Sequence, residues 1–98
     1  MKKYLTIFRM PEEVNSVAVD TRPGQRRAVE SLLSSGRMLS YAVTADQTCV
    51  LAIFAAEDDA NLLEMSALLP IAQHADLNIV ELDCVLTPNG LNAAFSHN

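Results

Sequence analysis

Four polar side chains in this sequence could do chemistry on a small molecule: His74, Tyr41, Arg26 and Arg27. A histidine changes charge near neutral pH, so His74 is the candidate general base. It also suits a surface or capping position. Tyr41 offers a phenol that could donate to a bound carbonyl or carboxylate, or it could pack in the core with its hydroxyl satisfied. An arginine can grip a carboxylate through two parallel hydrogen bonds, and Arg26 or Arg27 is placed to do so; a solvated helix face is the plainer reading. Glu30 stands one helical turn beyond Arg26. Glu81 and Asp83 alternate with Val80, Leu82 and Cys84, so they share a strand face, as pocket carboxylates or as a wet edge. His97, near the end of the chain, carries no pattern. No GxSxG, Walker loop, GxGxxG or HExxH pattern is present.

Cys49 and Cys84 each stand in an apolar, strand-like run and neither has a histidine beside it. Two buried thiols are the expectation. A disulfide needs an oxidising compartment, and two cysteines with two distant histidines are too few for a metal site, so no metal is expected.

The chain has 98 residues, half of them hydrophobic and 19% charged, which suits one folded domain over 1–98 with 87–98 as a tail. A net charge of −5 and a pI near 4.7 argue against nucleic acid as a partner, because phosphate neutralisation needs a basic surface. All seven Lys and Arg precede Met38, and eight of the twelve acids follow Arg37. That asymmetry is either chance or a meeting of basic and acidic halves, within or between subunits. No apolar run approaches the ~20 residues of a membrane span. Lys2-Lys3 followed by apolar residues 4–8 resembles the start of a signal peptide, but the run stops at Arg9, short of the ~7–15 residues required. A cytoplasmic protein with no membrane partner is expected.

The elements that must position these side chains follow from spacing. Residues 3–10 read as a strand stopped by Pro11. Residues 11–22 are ambiguous, with Val14, Val17 and Ala18 at the spacing of a short helical turn. Pro23-Gly24 breaks the pattern. Residues 25–35 form a helix with Ala28, Val29, Leu32 and Leu33 as its apolar stripe, closed by Gly36. Residues 37–44 and 48–55 form two strands joined by the turn 45–47, hence a hairpin. Glu57, Asp58 and Asp59 cap and open a second helix that runs to about Leu69, with Leu62, Met65, Leu68 and Leu69 inward and Pro70 as its stop. Residues 77–86 are a fourth strand, and 87–90 a turn. The order βαββαβ is a ferredoxin-like α+β fold, with both helices on one face of a four-stranded antiparallel sheet of order 4-1-3-2.

Two helices cover only one face of such a sheet. The third strand nevertheless has Val50, Ala52 and Phe54 on one side and Cys49, Leu51 and Ile53 on the other. The first strand has Tyr4, Thr6, Phe8 and Met10 against Leu5 and Ile7. Both faces are apolar, where a half-exposed sheet should alternate with polar residues. A second copy of the sheet covers the free face economically, giving a homodimer or a higher ring: the dimeric α+β barrel. A monomer shielded by its tail and the 11–22 segment is the alternative.

The second half of the chain resembles the muconolactone isomerase family. The resemblance rests on Leu62-Leu63, Leu68-Leu69-Pro70-Ile71, His74, Asp76, the strand Leu77 to Leu82, and Pro88 in the tail. In outline the first half agrees, with a strand ending in Met10-Pro11, a long connection, and a helix closed by Gly36. Where that family carries a Trp-Arg pair on the second strand, this chain has Ala42-Val43. Asp46 stands for the hairpin Gly, Val50 for an Asn, Arg26-Arg27 for a Lys-Glu pair, and His74 for a turn aromatic. The resemblance implies a ferredoxin-like dimeric barrel and a cofactor-free enzyme. Its chemistry would be proton transfer on a small carboxylated lactone or unsaturated ring, with an Arg on the carboxylate. A non-catalytic small-molecule-binding or oligomer-forming protein on the same scaffold is the alternative, and a cofactor-free monooxygenase is a third.

Overall fold

The computed structural model describes residues 1–11 and 23–88. The helical turn expected within 11–22, the second half of the 87–90 turn and His97 lie outside the described residues. The elements are β1 (Lys2–Arg9), α1 (Gln25–Ser34), β2 (Met38–Val43), β3 (Cys49–Ala56), α2 (Asp59–Ser66), a 3₁₀ turn at Pro70–Gln73 and β4 (Asp76–Leu82). The strands pair in the order β2-β3-β1-β4, antiparallel throughout. This is the expected βαββαβ ferredoxin-like α+β fold, with the expected strand order.

Local chemistry sets the helix ends. At the C-terminus of α1 the Arg37 N–H reaches the Leu32 carbonyl and the Gly36 N–H the Leu33 carbonyl, both at 3.1 Å. Gly36 holds φ 76, the left-handed geometry that this closure requires. At the start of α2 the Asp58 carboxylate accepts the Asn61 N–H at 2.8 Å, and the Asn61 side chain accepts the Glu57 N–H at 3.1 Å. That helix stops at Ser66, short of Leu69. Leu69 precedes Pro70 and is extended (φ −79, ψ 124), because the proline ring disfavours helical backbone before it. Leu69 still turns inward, but Leu68, expected on the apolar side, is exposed.

β4 ends at Leu82, four residues earlier than expected. It is an edge strand paired only with β1, and Leu82 already faces Lys3 at the start of that partner. Without a neighbour the ladder ends. Cys84 therefore lies beyond the strand and is exposed, and Cys49 is only half-buried on the helix-free face. The expectation of two buried thiols is corrected on both counts; both are free thiols.

The core lies between sheet and helices. Tyr4, Phe8, Val50, Ala52, Phe54 and Ala56 meet Val29, Leu32, Leu62, Met65, Leu69 and Ile71. Buried Thr6 resolves its hydroxyl on the Ala52 carbonyl at 2.9 Å. The opposite face has an apolar centre, where Leu5 pairs with Ile53 and Val80 and Ile7 with Leu51, edged by the polar Asn78 of β4 and Ser40 of β2. Charged residues bound it, Lys3 at one end and Arg9 opposite Asp76 at the other. Among the described residues Lys2 Nζ meets Glu81 Oε1 at 3.9 Å, and the exposure of this pair makes it weak. No helix among the described residues is long and apolar enough to cross a membrane.

Tyr4 supplies a pH dependence. Its hydroxyl donates to Asp59 Oδ1 at 3.0 Å. Burial and that carboxylate push its pKa from 10.0 up to about 12. The neutral phenol is thus favoured in the fold: its stabilisation is complete below pH 10 and is lost as pH rises through about 12. Urea midpoints measured from pH 9 to 12 should fall more steeply for the wild type than for Tyr4→Phe. Parallel curves would remove Tyr4 as the source.

Candidate functional site

One face of α1 and the edge strand β2 enclose a cleft of about 470 Å³. Arg26, Val29, Glu30 and Leu33 line it from the helix, and Tyr41, Ala42, Val43, Thr44, Ala45 and Gln47 from β2 and its hairpin. The helical contributors fall at i, i+3, i+4 and i+7, which is one stripe of an α-helix. The stripe places a cation, Arg26, at its N-terminal end and then Val29, Glu30 and Leu33 along its length. Leu33, expected in the core, is exposed here because it forms a wall of the cleft.

The hairpin end of the cleft is held by Asp46. A single carboxylate oxygen, Oδ1, accepts the Thr44 hydroxyl at 2.7 Å, the Thr48 hydroxyl at 2.7 Å and the Thr48 N–H at 3.0 Å. Hydrogen bonds from Thr48 and Thr44 hold the Asp46 carboxyl below its usual range. The Thr44 N–H closes on the Cys49 carbonyl and the Gln47 N–H on the Thr44 carbonyl, with Gln47 left-handed at φ 64. The turn expected at 45–47 is therefore a tightly bonded support for Thr44 and Gln47, which face the cleft.

Behind the cleft lies a residue that sequence reasoning did not single out. Gln25, the first residue of α1, is fully buried. Its Nε2 donates to the Tyr41 hydroxyl at 3.0 Å and its Oε1 accepts the Ile71 N–H at 3.3 Å. The amide thereby ties α1, β2 and the 3₁₀ turn together. Gly24 before it adopts φ 79, and its carbonyl accepts the Ala28 N–H to begin the helix. The signal was available: Gln25 precedes Val29 by four and Leu32 by seven, on the buried stripe.

Of the four side chains expected to form a site, the structure brings two together. Arg26 and Tyr41 line the same cleft. Arg27 does not: it lies outside the stripe Arg26, Val29, Glu30 and Leu33 that walls the cleft. His74 ends the 3₁₀ turn, its N–H on the Ile71 carbonyl at 3.0 Å and its side chain exposed, and it is not a wall of the cleft. Glu81 and Asp83 rim a shallow polar depression with Met1, Lys2, Lys3 and Leu82, in keeping with the wet-edge reading. No group of three or more His, Cys, Asp or Glu among the described residues is arranged to hold a metal ion.

Comparison with protein-family models and with curated proteins returns no match. Eight chains of solved structures do match. One of them, described as an antibiotic biosynthesis monooxygenase, has a TM-score of 0.53 at 23% identity. The match covers 88% of this chain and 100% of that one. At this identity the likeness establishes the shared fold, which is the ferredoxin-like α+β fold built above. It does not single out the muconolactone isomerase family.

Proposed function

We propose that this protein binds a compact, largely apolar ring compound bearing one anionic group in the α1–β2 cleft, and that Arg26 grips the anion. The observation that supports this is the convergence of Arg26, Glu30 and Tyr41 on a cleft otherwise walled by Val29, Leu33, Ala42 and Val43. Its volume of about 470 Å³ lies within the ~300–1,000 Å³ usual for small-ligand sites.

Glu30, the one carboxylate among the described residues that wall the cleft, is the base in this reading, in place of His74. It takes a proton from a carbon beside a carbonyl, and Tyr41 and Arg26 stabilise the enolate oxygen. Two fates are open to the enolate. Dioxygen can take its electrons, converting a CH₂ to C=O, with one oxygen atom kept in the product and the other leaving as water with the two hydrogens. That balance needs no other reductant, and it is the fate that fits a structural neighbour described as a monooxygenase. Alternatively the proton returns at another carbon, the isomerisation that the sequence resemblance implies. We further propose that a second copy of the chain covers the helix-free face, whose apolar centre is Leu5, Ile7, Leu51 and Ile53.

The binding proposal is tested with 2-naphthoate and its neutral counterpart 2-naphthylmethanol. Hydrogen bonds to a charged group contribute about 1.5–3 kcal/mol. Arg26→Met should therefore weaken 2-naphthoate at least ~10-fold while leaving the alcohol unchanged. Equal losses for both ligands would remove Arg26 as the anion's grip. Oxygen uptake over a panel of enolisable ring compounds then separates the two chemistries: uptake supports oxygenation, turnover under argon supports isomerisation, and binding without either leaves a non-catalytic binder.

A further inference from the structure

The cleft has two unlike ends. Among the described residues that wall it, the charges are Arg26 and Glu30 of α1, and Thr44 and Gln47 of the hairpin add polar groups. Arg26 stands in the first turn of α1, where the positive end of the helix dipole adds to its charge. That end of the helix lies beside the hairpin turn. Gln25 bonds the Ile71 N–H just ahead of β4, and Asp76, which opens β4, lines up across the sheet with Arg9 and Cys49. Thr44 closes the same row with its N–H on the Cys49 carbonyl. Leu33 comes seven residues after Arg26, about 10 Å further along the helix axis. It stands where residues 35–37 carry the chain from α1 into β2.

Leu33 is also the large side chain of its apolar stripe that the core leaves out. Val29 and Leu32 are buried, whereas Leu33 is 41% exposed on the wall of the cleft. Its backbone is fixed, because its carbonyl accepts the Gly36 N–H in the closure of α1. A leucine held in this way offers an apolar contact to a molecule in the cleft.

We infer that Leu33 is a specificity-determining residue: with the anion at the Arg26 end, it packs on the far end of the ring system. The cleft then selects elongated bicyclic anions whose charged group sits at the tip of the long axis. This deepens the cleft reading proposed above and rests on it. A single ring held at Arg26 stops short of Leu33, and a bicycle with its anion on the flank cannot extend along the stripe.

Two isomers test this. 2-Naphthoate and 1-naphthoate have the same charge and nearly the same apolar surface; the carboxylate is at the tip of the long axis in the first and on its flank in the second. The wild type should bind 2-naphthoate the more tightly. Leu33→Ala should weaken 2-naphthoate about tenfold, the low end of what one lost apolar contact costs, and leave 1-naphthoate unchanged, so that the preference disappears. Leu33→Met keeps the volume and apolar character and should keep the preference. Should Leu33→Ala destabilise the chain, Leu33→Gln, also a good helix former, should show the same selective loss. Equal affinity of the wild type for both isomers, or a preference that survives Leu33→Ala, overturns the inference. Arg26→Met separates that failure from failure of the cleft reading, because it should weaken both isomers alike. If it weakens neither, or if neither isomer binds, the cleft reading itself has failed and the role of Leu33 falls with it.

Discussion

Leu51→Glu is expected to leave the chain folded and to make it monomeric. Leu51 lies at the middle of the helix-free face, between Ile7 of β1 and Ala42 of β2. Around it Leu5, Ile53 and Val80 continue the apolar surface, and Val80 is 47% exposed in the single chain. Side chains of this size contribute about 1.5–3 kcal/mol each when fully buried. A few of them, met by the same few across a two-fold axis, suffice for a stable dimer. A carboxylate at position 51 would have to enter that dry layer twice, at a cost of several kcal/mol per charge. In sedimentation, the wild type should run at twice 10.7 kDa or more and Leu51→Glu at 10.7 kDa. Leu63→Glu, on the exposed side of α2, is the control and should change nothing. A wild type that sediments as a single chain, or a Leu51→Glu variant that still pairs, would contradict the proposed assembly.

Phe54→Ala should cause the largest loss of stability. Phe54 is fully buried on the central strand β3, flanked in the sheet by Tyr4 of β1 and Met38 of β2, on the side covered by the helices. Truncating such a residue costs about 3–5 kcal/mol, from lost transfer energy and from the cavity left behind. Domains of this kind have only about 5–15 kcal/mol in total. Urea denaturation should show this drop for Phe54→Ala and a smaller one for Phe54→Leu. Ile53→Ala, one residue away on the opposite face, makes a telling comparison. Its cost should depend on protein concentration, because in the proposed dimer Ile53 acts through association. A loss below about 1 kcal/mol for Phe54→Ala, the size of an average substitution, would mean that the core is not organised around β3.

Much of this architecture was legible in the sequence because strands alternate with period two. Val50, Ala52 and Phe54 against Leu51 and Ile53 specify both faces of β3 without reference to anything else, and Tyr4, Thr6 and Phe8 against Leu5 and Ile7 do the same for β1. The ends of elements were less legible, because they depend on neighbours. β4 stops where β1 runs out, which no property of residues 83–86 announces, and Cys84 loses its expected burial for that reason. α2 stops at Ser66 because Pro70 acts on the residue before it and the last turn unwinds ahead of it.

The site was half legible. Arg26 and Tyr41 were named from chemistry alone and lie on one cleft. Arg27 belongs to the same helix but lies outside the stripe that walls the cleft. His74 was attractive as a titrating group, but its place at the end of the 3₁₀ turn depends on how the chain leaves Pro70. Gln25 is a polar residue at a helix start after Pro-Gly; only its spacing to Val29 and Leu32 marks it as buried.

The most direct test of the cleft is an amide chemical-shift titration of the full chain with 2-naphthoate. A ligand held by Arg26 against α1 and β2 should shift amides over residues 26–33 and 41–47, and leave Leu5, Ile7, Leu51 and Ile53 on the opposite face unmoved. Shifts centred on those four residues, or no shifts at millimolar 2-naphthoate, would contradict the assignment of the α1–β2 cleft as the binding site.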